Sequence, residues 1–559
     1  MTSFARGDRV IGAATHHVEN QPPWRVDVNE YELNRPLAEA VGAFGAAWAH
    51  DDLREAGEVV GSASFQRDAQ LADTHPPVAH SHDRWGFRLD EVEYDPSYHR
   101  VIGEAIARGA HTSAWAIPRA GATVARAAMF MLFAQVEPGH ACPVSMTHAA
   151  VASLEGSGAI AEDWLPRLYS REYDPRLVVE GGKRSALVGM AMTEKQGGSD
   201  VRAGTTVGEA MGGRAYQLTG HKWFCSAPMS DAFLVLAHTR DGGTEQGLSC
   251  LFVPRILPHG IRNVFRIQRL KDKLGNRSNA SAEVEFDGTV GFLIGEPGRG
   301  VRAIIEMVQR TRLDCVLGTA AGMRQSVAEA LWHARERRAF GSVLVDQPAM
   351  TAVLADLALE SEAAMLTGLR LAQLFDAAAP ERDVALRRLA TPVSKYWVCK
   401  RGPQHAYEAL ECLGGNGYTE SFPLARRYRE QPVMAIWEGS GNVIALDVLR
   451  ALSRDGDSAE AFADELSTTG GASAVLDRHV QSALSLLQRL SRSETAEAAP
   501  HARRLSEDLA LALQASLMLR HAPSRDAEEF IGARLGDDRR AQFGVLPGGA
   551  DASAIAARH

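Results

Sequence analysis

The hydrophobic period of this chain changes twice, and that limits the folds open to it. From residue 30 to about 180 the sequence is Ala-rich with helical spacing, as in AEAVGAFGAAWA and GATVARAAMFMLFAQV, broken by DTHPPVAHSHD and CPVSM. A period near 3.6 places those apolar side chains on one helix face. Between about 185 and 290 short β-prone runs take over (SALVGMAM, AYQLTG, DAFLVLAH, LSCLFVP, SAEVEFDG), separated by Gly, Asp and Asn turns. After GEPGRG the helical period returns. Residues 301–338 contain no proline and carry Ile304, Ile305, Val308, Val316, Leu317, Val327 and Leu331, which predicts one long bundle helix. Further helices are expected at about 349–378, 382–412 and 441–453. The order helix, strand, helix argues against βαβ units and predicts an α+β chain. Its parts are an N-terminal helical domain (1–184), a middle β-barrel domain (185–295) and a C-terminal helical bundle (296–453).

An added region, residues 454–559, carries amphipathic stretches (VLDRHVQSALSLLQRL, LSEDLALALQASLMLRH, AEEFIGARL) and a Gly/Ala/Asp-rich tail. It holds 12 Arg, no Lys and 16 Asp+Glu, a balance of 12 − 16 = −4, and the whole chain sums to −9. Such a body repels polyanions, so any nucleic-acid contact needs a segregated patch. Only seven of the 60 basic residues are Lys, so a patch would consist of Arg, whose fork suits phosphate.

Six cysteines (Cys142, Cys225, Cys250, Cys315, Cys399, Cys412) form no CxxC pair, which fits buried free thiols in a reducing compartment. No window approaches 18 uninterrupted apolar residues, and MTSFARGDRV lacks the apolar core of a signal peptide, so neither a membrane span nor export is expected and the cytoplasm is the expected location. His75, His80 and His82 lie in a Pro-containing stretch without regular ligand spacing and read as a surface loop, with no metal expected. GEPGRG follows a β run without a βαβ unit and reads as a loop between domains rather than a dinucleotide fingerprint.

The string GMAMTEKQGGSDVRAGT, residues 189–205, brings backbone close to something planar or anionic, or is a structural Gly-rich turn. LTGHKWFCSAP, LECLGGNGYTE and IWEGSGN follow it. The order MTE-x-x-x-GSD, G-x-K, RRAFG, LGGNGY and WEGS resembles that of the acyl-CoA dehydrogenase family, from about residue 40 to 450. The variants TEKQGGSD, GHKWF, LKDKLGNRSNAS, YRE-x-P-V and IWEGSGN are similar to its AidB-like, DNA-alkylation-response subgroup, which also carries an extra C-terminal helical region.

The resemblance implies FAD as cofactor and a homotetramer built as a dimer of dimers. Met192 and Thr193 match positions that contact the isoalloxazine, Ser199 the GSD serine beside it, and Ser226 the hydroxyl that bonds flavin N5. Phe224 stands where most relatives carry Trp against the ring. Arg337 and Phe340 match residues that one subunit sends to a neighbour's FAD, and Glu411, Gly414 and Gly415 match the loop around its pyrophosphate and adenine, with Glu411 in place of the usual Gln. Ser440 and Asn442 match the residues after the catalytic acid, and their position at a helix start suits a phosphate or an N-cap.

Glu438 occupies the family's base position; by local sequence it is equally an acid stabilising the next helix. Some relatives place the base where this chain has Thr311, which cannot act as one. Arg450, twelve residues on, would weaken the base if it paired with Glu438. The implied activity is dehydrogenation of an acyl-CoA. The alternatives are a DNA-associated protective flavoprotein with little acyl-CoA activity, or a flavin-dependent oxygenase on the same fold. For duplex DNA, Arg503, Arg504, Arg520, Arg539 and Arg540 are the candidates; read alone they also fit a solvated helix surface.

Overall fold

The computed structural model describes residues 15–178, 182–454 and 456–559. Within the N-terminal part, helices Ala122–Ala134 and Ala141–Leu154 are buried almost throughout. They are apolar on all sides, so they take interior positions instead of facing solvent with one side. The sequence reading misses one element here. His80 and His82 lie in a hairpin, β1 (Val78–His82) against β2 (Arg88–Glu93), with His80 Nε2 2.9 Å from Glu93. The Pro-Pro and Ser/His content hid an exposed edge ribbon. Among the described residues no group of three or more His, Cys, Asp or Glu is placed to hold a metal, and no helix is long and apolar enough to cross a membrane.

The middle part is a closed sheet. Its strands are β3 (Val188–Ala191), β4 (Val207–Gly212), β5 (Ala215–Ser226), β6 (Ala232–Asp241), β7 (Thr244–Pro254), β8 (Arg266–Leu270) and β9 (Ser281–Ile294). Pairing runs β6-β4-β5-β9-β7 and returns to β6, with β3 added on β6 and β8 on β9. Closure removes the free edges of the ring. Phe233 and Phe265 stack at 4.8 Å in its interior beside Phe286, each burial contributing about 1.5–3 kcal/mol.

The long helix is Gly300–Glu336, and it packs with Pro348–Leu374 and Glu381–Glu411. Asp314 on it takes both guanidinium nitrogens of Arg126 in a buried pair, which joins this bundle to the N-terminal helices. A helix the sequence reading missed, Pro423–Met434, carries Arg426 and Arg427, which are buried because they donate to the carbonyls of Ala69 and Val136. Its charged sequence therefore concealed an interior helix.

The added region contributes Gly456–Ser467, Ala474–Ser491, Ala502–His521, Ser524–Leu535 and Ala552–Arg558. Its last segment was expected as a tail; it is instead a docked helix, with Arg558 bridging Glu39 at 2.7 Å and Glu362 at 2.9 Å. Arg534 likewise bridges Asp356 and Glu360. The region is tied into the bundle by buried ion pairs, which its net charge does not reveal.

Candidate functional site

Glu438 sits at the tip of a turn with positive φ at two successive residues, 59° at Glu438 and 113° at Gly439. A left-handed glutamate is unfavourable and persists only where neighbours fix it. Two cations do so. Arg312, from the long helix, donates to the Glu438 carbonyl at 3.1 Å, and Lys395, from Glu381–Glu411, donates to that of Gly439 at 2.5 Å. The Glu438 carboxyl is held above the usual carboxylate range by burial, opposed by the Thr311 hydroxyl beside it and the charges of Arg312 and Lys395. Thr311 thus stands beside the glutamate it was compared with. Arg450 does not pair with Glu438: it reaches Asp447 at 3.8 Å and is half exposed. Asp447 also takes Arg312 at 2.6 Å, which directs that guanidinium away from the carboxyl.

The segment 192–200 is fastened to β5. Glu194 and Lys222 form a buried ion pair at 2.8 Å. Glu194 also accepts the amides and hydroxyls of Thr205 and Thr206, and Lys222 donates to the carbonyls of Leu236 and, at 3.4 Å, Met192. The Trp223 amide donates to Thr193 at 2.8 Å. These bonds set the backbone of Met192 and Thr193, while Ser199 lies exposed on the same loop. A bulge in the β5–β9 register falls between Lys222 and Cys225, and Phe224 is exposed there.

The two halves meet at Cys142. Cys142, Met146 and Ala227 pack with Met190 and Trp437, and the Cys142 thiol is within hydrogen-bond reach of Ser226 and feels the charge of Glu438. Burial pushes that thiol up to about 11. Ser226 and Ser281 face each other across β5 and β9 with hydroxyls 3.0 Å apart, and Lys273 donates to Ser281 at 3.2 Å. Cys142, Lys273, Lys395 and Trp437 escaped the sequence reading, since none stands out by spacing. A cavity of about 320 Å³ opens elsewhere, between Trp164 and Phe252, and none of these residues lines it.

At the far end, Asn442 opens helix Gly441–Arg454 and accepts from Arg503 Nε at 2.8 Å. Lys400 and Arg503 both lie against Gly441, where a Cβ would come within 2.6 Å of Lys400. Arg337, Phe340, Glu411, Gly414 and Gly415 are not brought to this site within the chain. Phe340 is 99% exposed with φ 51°, at the tip of the hairpin Arg338–Ala339/Ser342–Val343, and Gly414 and Gly415 face open space. Of the proposed DNA contacts, Arg520 is spoken for: it reaches the buried Glu465 at 2.7 Å, which Arg370 also holds.

The residues present fit a flavin. Ser226 offers a hydroxyl, Phe224 an exposed aromatic face, and Trp437 a buried indole N–H without a partner. A helix start with Arg503 and Lys400 above it suits a diphosphate. This fold is that of the acyl-CoA dehydrogenase family. Residues 189–289 match the family model for the acyl-CoA dehydrogenase middle domain, 298–453 that for its C-terminal domain, and 20–175 that for the adaptive response protein AidB N-terminal domain. AidB of Escherichia coli is 45% identical over 84% of this chain and 86% of its own. The chain belongs to the AidB-like branch of the acyl-CoA dehydrogenase family, and FAD is the cofactor of this family of oxidoreductases. The solved structure of Caenorhabditis elegans ACDH-11 in complex with C11-CoA is 25% identical and superposes with a TM-score of 0.85, covering 98% of this chain and 97% of that one. An acyl-CoA dehydrogenase from Bacillus anthracis complexed with FAD shares the fold at 16% identity, with a TM-score of 0.63 over 78% of this chain and 79% of its own.

Proposed function

We propose that this protein α,β-dehydrogenates an acyl thioester, with Glu438 as the base. The observation that carries the reading is the Glu438 carboxyl, raised by burial and fixed at a strained turn near Cys142, whose thiol is also within reach of Ser226. A carboxylate with a raised pKa is basic enough to take an α-proton. When bound, FAD supplies the hydride acceptor. The chain's own part is to hold Glu438 and exclude water around it, with Met192, Thr193, Ser199, Phe224 and Ser226 against the ring and Ser440 and Asn442 at the phosphates. The C11-CoA complex of ACDH-11 supports an acyl-CoA as the substrate class.

Arg337, Phe340, Glu411, Gly414 and Gly415 are assigned to a neighbouring subunit's cofactor. The full exposure of Phe340 supports this, because a large apolar side chain held outward in a strained conformation calls for a partner surface. The test is an anaerobic titration of the yellow protein with a panel of acyl-CoAs, followed spectrally. Bleaching by an acyl-CoA is expected, and its absence across the panel refutes dehydrogenation.

A second reading follows from kinship with AidB, whose family model is described as an adaptive response protein. We infer a weak, sequence-independent contact with duplex DNA through Arg504, Arg539 and Arg540. Arg504 and Arg540 are more than half exposed, with acidic neighbours no closer than 3.5 Å (Asp508) and 3.8 Å (Asp538).

A further inference from the structure

Lys273 lies behind the end of β5, and its surroundings constrain the hydroxyls in front of it. Its ammonium donates to the Asn279 carbonyl at 2.5 Å and to Ser281 Oγ at 3.2 Å. Ser281 Oγ is 3.0 Å from Ser226 Oγ. An ammonium can only donate, so Ser281 accepts from it and has its own proton to direct elsewhere. The neighbouring acceptor is Ser226. Once Ser226 accepts from Ser281, its own proton is left to give either to the Cys142 thiol, which is within reach, or to a flavin seated beside it.

We propose that Lys273 is a positioning residue that, through Ser281, orients the Ser226 hydroxyl as a hydrogen-bond donor to flavin N5. The proposal rests on the reading that places Ser226 beside N5. Among the described residues no carboxylate contacts Lys273 directly. The titratable groups facing it are Cys142 from helix Ala141–Leu154, Glu430 from helix Pro423–Met434, and Glu137 from the turn before His140. Burial holds its ammonium down to about 8, so it stays charged at neutral pH, while Glu137, despite its own burial, is held down to about 2, most strongly by His140 and Ser278. Oxidised N5 presents a lone pair to such a donor, whereas N5 carries a hydrogen once it has taken the hydride, so the donor acts unequally on the two redox states. The arrangement therefore sets the flavin's potential, and it acts without touching the substrate.

The experiment is a double-mutant cycle on the midpoint potential of the flavin-loaded protein, using Lys273→Met, Ser281→Ala and the pair. Each single change is expected to shift the potential by at least a tenfold change in the oxidised-to-reduced ratio, about 30 mV for a two-electron couple. The double variant should shift no further than the larger single one, and Lys273→Arg should keep the wild-type value. Full additivity of the two shifts, or an unchanged potential in Lys273→Met, overturns the relay. If Lys273→Met does not hold flavin, Ser281→Ala decides alone, and an unchanged potential there overturns it. Ser226→Ala separates the two levels: no shift in it refutes the placement of Ser226 at N5, whereas a shift in it without one in Lys273→Met refutes only the relay.

Discussion

Arg503, on helix Ala502–His521, donates its Nε–H to Asn442 Oδ1 at 2.8 Å, so the added C-terminal region reaches the residues at which a flavin's phosphates are expected. Lys400 sits beside it, its ammonium lowered by burial and by the charges of Arg503 and Lys395. Crowded cations are relieved by an anion. Arg503→Gln should therefore weaken FAD binding by about 1.5–3 kcal/mol, on the order of 10- to 100-fold in Kd. Fluorescence titration of apoprotein with FAD measures this, and unchanged affinity would remove Arg503 from the cofactor site.

Glu438→Gln keeps the shape of the turn and removes the base. Reduction of the flavin by any active acyl-CoA should slow at least about 10²-fold with FAD still bound. In the wild type, burial raises the Glu438 pKa, so the reduction rate should climb with pH through a midpoint above that of an ordinary carboxylate. The Thr311 hydroxyl, which in this conformation donates to the Met307 and Val308 carbonyls, opposes that rise from beside the carboxyl. Thr311→Ala should move the same limb to higher pH, read by stopped-flow reduction across a pH series; a shift to lower pH would contradict the arrangement.

The order of elements was legible because the chain's apolar period switches cleanly between 3.6 and 2, and the motif strings fall on strands and turns where backbone geometry requires them. What escaped was interior polarity. Pro423–Met434 looks like a surface segment, yet Arg426 and Arg427 are buried against carbonyls. The final helix looks like a tail, yet Arg558 closes on Glu39 and Glu362. Glu438 could be picked out by its neighbours in sequence, whereas Lys395, 43 positions away, fixes its turn through a carbonyl that no pattern announces.

Glu194 and Lys222 are buried together, and removing one partner strands the other. Glu194→Gln should cost about 3–5 kcal/mol, and the double change Glu194→Gln with Lys222→Met less than the sum of the singles. The sign with pH follows from Glu194. Its folded pKa lies well below the ordinary value of 4.5, against the effect of burial, because Lys222, Thr205 and Thr206 favour the carboxylate. The stability it contributes is present above the unfolded pKa and is lost as pH falls below it. Urea unfolding at neutral pH and near pH 4 should show that loss in the wild type and a smaller one in Glu194→Gln; equal losses would refute it.

Duplex DNA is the case where kinship and electrostatics oppose each other. The chain carries −9 and residues 454–559 carry −4, so attraction must come from a few exposed arginines. Of the five named from sequence, Arg520 is held by Glu465 and Arg503 by Asn442, which leaves Arg504, Arg539 and Arg540 facing solvent. Contacts from these would reach phosphate and carry no sequence information. With three cations per subunit, the logarithm of affinity should fall with the logarithm of salt with a slope of about −2.7 per bound subunit, at about 0.9 per phosphate contact. Retention on random duplex DNA should be visible only at low salt. Charge reversal at Arg504, Arg539 and Arg540 should abolish it and leave FAD content unchanged, since none of the three touches Asn442. Retention that survives the reversal would place the DNA surface elsewhere on the molecule, and no retention at low salt would leave the flavoenzyme reading to stand without it.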